Sequence, residues 1–336
     1  MPSELLLVTG SAGHLGEALM RTFRASGRAV VGVDRIASPY TDVVGSIADR
    51  AFVERIMKRT TAVLHTATLH KPHVATHRQQ EFVDTNVMGT LNLLETAAAE
   101  GVSAFVFTST TSAFGDALKP RDGDPAAWIT EDTVPIPKNI YGVTKVAAED
   151  LCALAHRNQG LPCVVLRTSR FFPEPDDDPT ARAAYADANL KANELLFRRV
   201  DIEDVVSAHL CALERARAIG FARYIISATT PFARDDASEL RRDAPSVVDR
   251  RVPGWRAVYE KLGWRMASSI ERVYDNARAR SELGWEPRHD FAAALERLAS
   301  GSALASPLAQ AVGIKGYHGD AHRDGLYPIA PAQPRA

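Results

Sequence analysis

With 336 residues, the chain is long enough to bury a sizeable core in one large domain or two interlocked ones. Apolar residues make up 46% and charged residues 24%, and 40 basic side chains face 41 acidic ones for a net charge of −1, so neither a nucleic-acid nor an anionic-membrane surface is indicated. No run of about 18 apolar residues and no cationic-plus-apolar leader is present, and Cys152, Cys163 and Cys211, an odd and widely spaced set, read as buried free thiols of a cytoplasmic protein.

The chain opens with an apolar strand over residues 5–9 that runs into Gly10-Ser11-Ala12-Gly13-His14-Leu15-Gly16. Gly10 allows a sharp turn out of a buried strand. Gly13 lets backbone approach a pyrophosphate, and Gly16 lets the next helix pack closely on the sheet. The N-terminus of that helix, amphipathic through Leu15, Ala18, Leu19 and Phe23, points its unsatisfied N–H groups at the anion. A second strand, 29–33, ends at Asp34, where a carboxylate accepts hydrogen bonds from a ribose 2′-hydroxyl and repels a 2′-phosphate. NAD is therefore favoured over NADP, although Arg35 next to it is a residue type that accepts such a phosphate.

Further strands are predicted at 41–44, 62–65, 104–109, 163–167 and 223–227, each short and with little polar alternation, as when both faces are covered. Helical spacing lies between them at Phe52/Ile56, Val87/Leu91/Leu94, Val146/Leu151/Leu154 and over 205–216. This alternation predicts an α/β fold with a Rossmann-type, doubly wound parallel sheet. Three stretches break the rhythm: a long loop at 115–138, an acidic turn-rich run at 171–180, and a Gly/Ala/Pro-rich tail after about 300. The expected organisation is a dinucleotide-binding domain (1–170 and 200–229), a small discontinuous substrate lobe (171–199 and 230–300) and a tail or arm (301–336).

Tyr141 and Lys145 lie four residues apart at the start of a helix and so share a face. A cation beside a phenol favours the phenolate, which makes tyrosine a usable proton donor and acceptor near neutral pH. Upstream, Phe105-Val106-Phe107 runs into Thr108-Ser109-Thr110-Thr111-Ser112, placing hydroxyls at the carboxyl end of a parallel strand, where ligands bind in such folds.

Together these residues resemble the extended short-chain dehydrogenase/reductase superfamily, specifically its NAD-dependent epimerase/dehydratase family, over roughly residues 5–295. Further marks are Leu64-His65-Thr66-Ala67, the stretch from Asn86 to Glu95, Asp201 and Asp204 with His209, and Asp275 through Leu283-Gly284-Trp285-Glu286-Pro287. The resemblance implies that Tyr141 is the general acid/base, that Lys145 binds the nicotinamide ribose and lowers the tyrosine's pKa, and that Thr110 hydrogen-bonds the substrate oxygen. It implies cofactor contacts from Gly10, Ala12, Gly13, His14, Leu15, Gly16, Asp34, Arg35, Ser46, Ile47, Thr66, Ala67, Thr68, Asn86 and Thr108, besides Tyr141 and Lys145. It also implies a homodimer through the helices that carry Asn86 and Tyr141.

Departures from the family pattern narrow the reaction. Dehydratases of this family follow the threonine with an Asp-Glu pair, whereas Thr111 and Ser112 stand here, which argues against water elimination. After the third strand the usual acidic residue is replaced by Ser46. Only 34 residues separate Arg167 from Asp201, and Asp176-Asp177-Asp178 falls among them where nucleotide-sugar enzymes generally carry a longer, basic insert. Unless these carboxylates face solvent, they receive a diphosphate poorly, which leans toward a smaller sugar-like substrate.

His70, His73 and His77 have spacing that invites a metal, but Pro72 interrupts the register and the chemistry needs none, so they read as pocket lining or surface loop. The pairs Arg241-Arg242 and Arg250-Arg251 read as solvated surface. The expected function is reversible NAD-dependent hydride transfer at a secondary alcohol or carbonyl. The alternatives are an epimerase that retains its cofactor and a cofactor-sensing regulatory protein on the same fold.

Overall fold

A computed structural model describes residues 4–316. Seven strands form one wholly parallel sheet: β1 (Leu6–Thr9), β2 (Val30–Asp34), β3 (Val43–Val44), β4 (Ala62–His65), β5 (Ala104–Thr110), β7 (Cys163–Thr168) and β8 (Phe221–Ile226). Their order across the sheet is β3-β2-β1-β4-β5-β7-β8. The order reverses between β1 and β4, and in such a sheet the crevice outside the strand ends at that point is the ligand site. This is the Rossmann-type α/β architecture.

Successive residues of the central strands enter opposite cores, which is why those strands read as unbroken apolar runs. Leu6, Val8, Val106 and Val164 pack under the helices His14–Ala25 and Ile202–Ile219. Leu7, Phe105, Phe107 and Val165 pack under Arg50–Met57, Gly89–Ala99 and Ile140–Gln159. A third core, with Trp255, Tyr259 and Phe291 among its largest members, is built from residues 192–196 and 228–295 together with Ala126.

Sequence and structure differ locally. The third strand shrinks from 41–44 to two residues, because the Thr41 hydroxyl is bonded in a turn with Ser38 and Ser11. The stretch 115–138 is not wholly loop: β6 (Ala127–Ile129) pairs with β9 (Arg272–Tyr274) in a separate two-stranded sheet. Three residues without a long apolar run carry too little periodicity to be seen. Within the expected tail, Ser306 donates from its N–H and hydroxyl to Asp201, and the helix Pro307–Val312 packs on the first helix and on Ile202–Ile219. Residues 317–336 of that tail lie outside the described residues. Cys152 and Cys163 are buried and Cys211 is half-buried, all three as free thiols. Among the described residues, no helix is long and apolar enough to cross a membrane.

Candidate active site

A cleft of about 830 Å³ runs along the carboxyl ends of β1, β2, β4 and β5. Its floor begins at the glycine turn. Gly10 has φ +76°, and a Cβ there would lie 2.7 Å from the Ala67 nitrogen; one on Gly16 would lie 1.9 Å from the Gly10 carbonyl oxygen. Neither position tolerates a side chain, so the turn keeps a bare backbone surface at the first helix's N-terminus, the cradle a dinucleotide pyrophosphate needs. Asp34, buried at the end of β2, accepts from the Ala12 N–H (3.1 Å) and the Ile36 N–H (3.0 Å), which fixes its carboxylate beside the turn.

The cleft is lined by Gly10, Gly13, His14, Leu15, Gly16, Asp34, Arg35, Ser46, Ile47, Thr66, Ala67, Thr68, Thr108, Thr110 and Tyr141. Three residues implied for cofactor contact stand behind that lining. Ala12 faces the fold, with its N–H on Asp34. Asn86 accepts from the Leu69 N–H and the Thr68 hydroxyl and donates to the Leu69 carbonyl and Thr144, clasping the loop after β4 to the helix of Tyr141. Lys145 is 1% exposed; its ammonium donates to the Thr108 carbonyl at 2.6 Å and sits 4.0 Å from the Phe107 ring centre.

Asn139 caps the helix Ile140–Gln159 by accepting from the Gly142 N–H, and this sets Tyr141 at the cleft. Thr110 ends β5; its hydroxyl accepts from the Ser112 N–H at 3.0 Å, and it lines the same cleft as the Tyr141 phenol, which it influences electrostatically. The sequence expectation of a lowered tyrosine pKa is corrected here. Burial pushes the phenol up to about 12, only partly opposed by Thr110. Lys145, brought down to about 7 by the same burial, points at the strand backbone instead.

Beneath the site run polar side chains, among them His65 and His209, which the sequence marked only as part of the family resemblance, and Glu149, which it did not single out. His65, neutral because burial holds it well below its ordinary value, is bonded through Nδ1 to Thr9 and through Nε2 to Thr90, whose hydroxyl donates to the Asn86 carbonyl. His209 Nδ1 donates to the Val205 carbonyl, so Nε2 accepts from Thr108 at 2.7 Å; burial brings this ring down to about 4. Glu149 receives Ser109, Arg167 and Arg223. These bonds fix the ends of β1, β4 and β5 against the helices that carry the site.

The 171–178 segment crosses the cleft. Phe172 stacks on His70 at 5.3 Å and meets His14 edge-on at 5.2 Å, and Lys71 pairs with Asp177 at 2.5 Å. His14 also pairs with Glu174 at 2.9 Å; Glu174 accepts from the Lys315 N–H, and the buried Lys315 ammonium pairs with Glu17. The acidic run therefore does not simply face solvent. Asp176 and Asp177 hold Arg170, Asp177 holds Lys71, and Asp178 caps the helix Pro179–Ala184. His70, His73 and His77 all line the cleft, with Pro72 inside the 3₁₀ turn Lys71–Ala75. Among the described residues no group of three or more His, Cys, Asp or Glu is arranged for a metal ion. Arg241 and Arg250 pair on the surface with Glu271 and Glu239, and Arg251 with the buried carboxylate of Asp236.

A wholly parallel sheet with a bare glycine turn at its switch point, and with Thr110 and Tyr141 lining the cleft above it, is the architecture of a dinucleotide-binding Rossmann fold. The chain belongs to the NAD dependent epimerase/dehydratase family, whose sequence profile matches residues 6–226. It is 26% identical to a UDP-glucose 4-epimerase of Rhizobium leguminosarum bv. trifolii, over 87% of this chain and 95% of that enzyme. It is 28% identical to a dTDP-glucose 4,6-dehydratase of Streptomyces antibioticus, over 87% of this chain and 90% of that one. It shares the fold of a short-chain dehydrogenase/reductase superfamily protein from Agrobacterium tumefaciens solved with bound NAD, at a TM-score of 0.64 and 24% identity over 88% of this chain and 96% of that one.

Proposed function

We propose that the protein catalyses reversible hydride transfer at a secondary alcohol or carbonyl of a sugar-like small molecule, with NAD as cofactor. The observation that carries this reading is the Tyr141 phenol and Thr110 together in the same cleft as the glycine turn and Asp34. Bound along that turn, NAD supplies the hydride acceptor or donor. Thr110 aligns the substrate oxygen, and Tyr141 takes its proton in oxidation and returns it in reduction. Lys145 holds the nicotinamide ribose and supplies positive charge behind the phenol once ligand replaces the Thr108 carbonyl as its partner. Residues 171–199 and 230–300 form the substrate lobe.

The test is a thermal-shift screen with NAD, NADP and a panel of aldoses, uronates and nucleotide sugars, since a ligand that binds the native state raises its stability by mass action. NAD is expected to raise Tm more than NADP. Asp34→Ala should weaken NAD about tenfold, an effect of the size of one lost charge-assisted hydrogen bond. A larger shift with NADP would overturn the cofactor assignment.

A second reading, an epimerase that keeps its NAD, is favoured by the 171–178 crossing, which encloses the cleft between the glycine turn and the loop after β4. NAD that stays with the protein through gel filtration, together with turnover and no accumulating NADH, would select it. A dehydratase stands among the relatives, but Thr111 and Ser112 supply no carboxylate for water elimination. We also propose a homodimer through the helices that carry Asn86 and Tyr141, because Met88 and Val143 on them are large, apolar and about half exposed. Val143→Glu should then halve the mass measured by light scattering; a monomeric parent would rule the dimer out.

A further inference from the structure

We propose that Arg272 receives a single anionic group, a carboxylate or a phosphate monoester, on the sugar-like substrate. The inference rests on the proposed function, because it assumes that the substrate lies between Tyr141 and the substrate lobe.

Strand β9 places Arg272 on the cleft wall. Tyr274, two residues on, projects from the same strand face, also lines the cleft, and stacks on Phe114 at 6.4 Å. Phe114 ends the 3₁₀ turn Thr111–Phe114 that Thr110 caps. Arg272 thus stands at the Thr110 end of the cleft rather than at the Asp34 end.

Of the five lysines and arginines that line the cleft, only Arg35 and Arg272 have no ion pair with a described residue, and Arg35 is exposed beside Asp34, away from Thr110. Arg170 is held by Asp176 and Asp177, Arg198 by Glu194 at 2.6 Å, and Lys71 by Asp177. Arg272 has no ion pair with any described residue, and its buried Nε has no hydrogen-bond partner among them. A buried donor left unmatched in this way costs stability, and a guanidinium fork matches a planar carboxylate or a phosphate face with two parallel hydrogen bonds. A nucleoside diphosphate, by contrast, would have to draw Arg170 away from two carboxylates. Away from the Asp34 end, the cleft is therefore matched to one anionic group at Arg272 and to hydroxyls elsewhere.

The experiment compares the parent, Arg272→Gln and Arg272→Lys on a hexuronate, a hexose 6-phosphate, a neutral hexose and UDP-glucose, by steady-state kinetics with NAD and by thermal shift of the NAD complex. One of the two anionic sugars is expected to be preferred, and which one separates carboxylate from phosphate. Arg272→Gln should raise its KM about ten- to a hundredfold, the cost of losing a charge-assisted pair. kcat should move little, KM for the neutral hexose should be unchanged, and Arg272→Lys should recover part of the loss. A retained NAD-induced shift in Arg272→Gln shows that the fold is intact. Equal KM in parent and Arg272→Gln, preference for UDP-glucose, or neither anionic sugar shifting the NAD complex would each overturn the proposal. Failure of the underlying reading looks different: Tyr141→Phe would then keep full turnover.

Discussion

Tyr141→Phe is expected to lower kcat by about 10²- to 10⁴-fold, the usual contribution of a positioned general acid/base, while leaving NAD affinity and folding close to those of the parent. The reasoning is geometric. The phenol is 7% exposed and its ring packs with Leu69 and Phe82, contacts that phenylalanine retains. What phenylalanine lacks is the atom that exchanges a proton with the substrate oxygen. Because burial holds the free phenol near 12, the hydroxyl is protonated throughout the physiological range, so the reductive direction, in which Tyr141 donates, needs no prior ionisation. The oxidative direction needs a phenolate or concerted transfer, and its rate is expected to climb with pH across the neutral and alkaline range. Parallel rate and NAD-binding measurements on the variant check this. A sensor on this fold would instead show unchanged biological output with NAD binding intact, and that result would remove Tyr141 from any catalytic role.

The Rossmann sheet was legible in the sequence because its information is local. Buried parallel strands are continuous apolar runs, and the turn from Gly10 to Gly16 needs its glycines for reasons visible in the chain: a positive φ at Gly10 and no room for a Cβ at either end. That a hydroxyl-rich strand end and the start of the Tyr141 helix meet at one cleft was legible in the sequence, while the choice of Thr110 among those hydroxyls came from the family resemblance. What could not be read was non-local. Arg272 owes its place to a three-residue strand pairing with residues 127–129, and that pairing leaves no periodic trace. The partners of Asp176 and Asp177 come from Arg170 and, across the cleft, from Lys71, so a run that looks solvated in sequence is a crossing over the site. The orientation of Lys145 was also hidden. Spacing put it on the face of Tyr141, but the choice between phenol and Thr108 carbonyl depends on β5 packing beneath that helix.

That orientation leads to the second large effect: Lys145→Met should stabilise the fold while crippling turnover. The ammonium is almost wholly buried, with one carbonyl and one ring face as its close partners and Glu149 further away. Burial brings its pKa from 10.5 down to about 7, which corresponds to on the order of 4–5 kcal/mol of unfavourable differential interaction for the charged form. Methionine fills similar space without that charge and forfeits one hydrogen bond, worth about 1–2 kcal/mol, so a net gain remains. Between about pH 7 and 10.5 the unfolded chain binds the proton that the native chain has released, so the parent's stability rises with pH across this window; the penalty is complete below about 7 and gone above about 10.5. The advantage of Lys145→Met should therefore be largest at pH 6, a Tm several degrees above the parent, and should fade to nothing or reverse by pH 10. A variant less stable than the parent at pH 6 would mean that the Thr108 carbonyl, the Phe107 ring and Glu149 fully offset the desolvation. The lysine would then belong to the packing of β5 as much as to the chemistry at Tyr141.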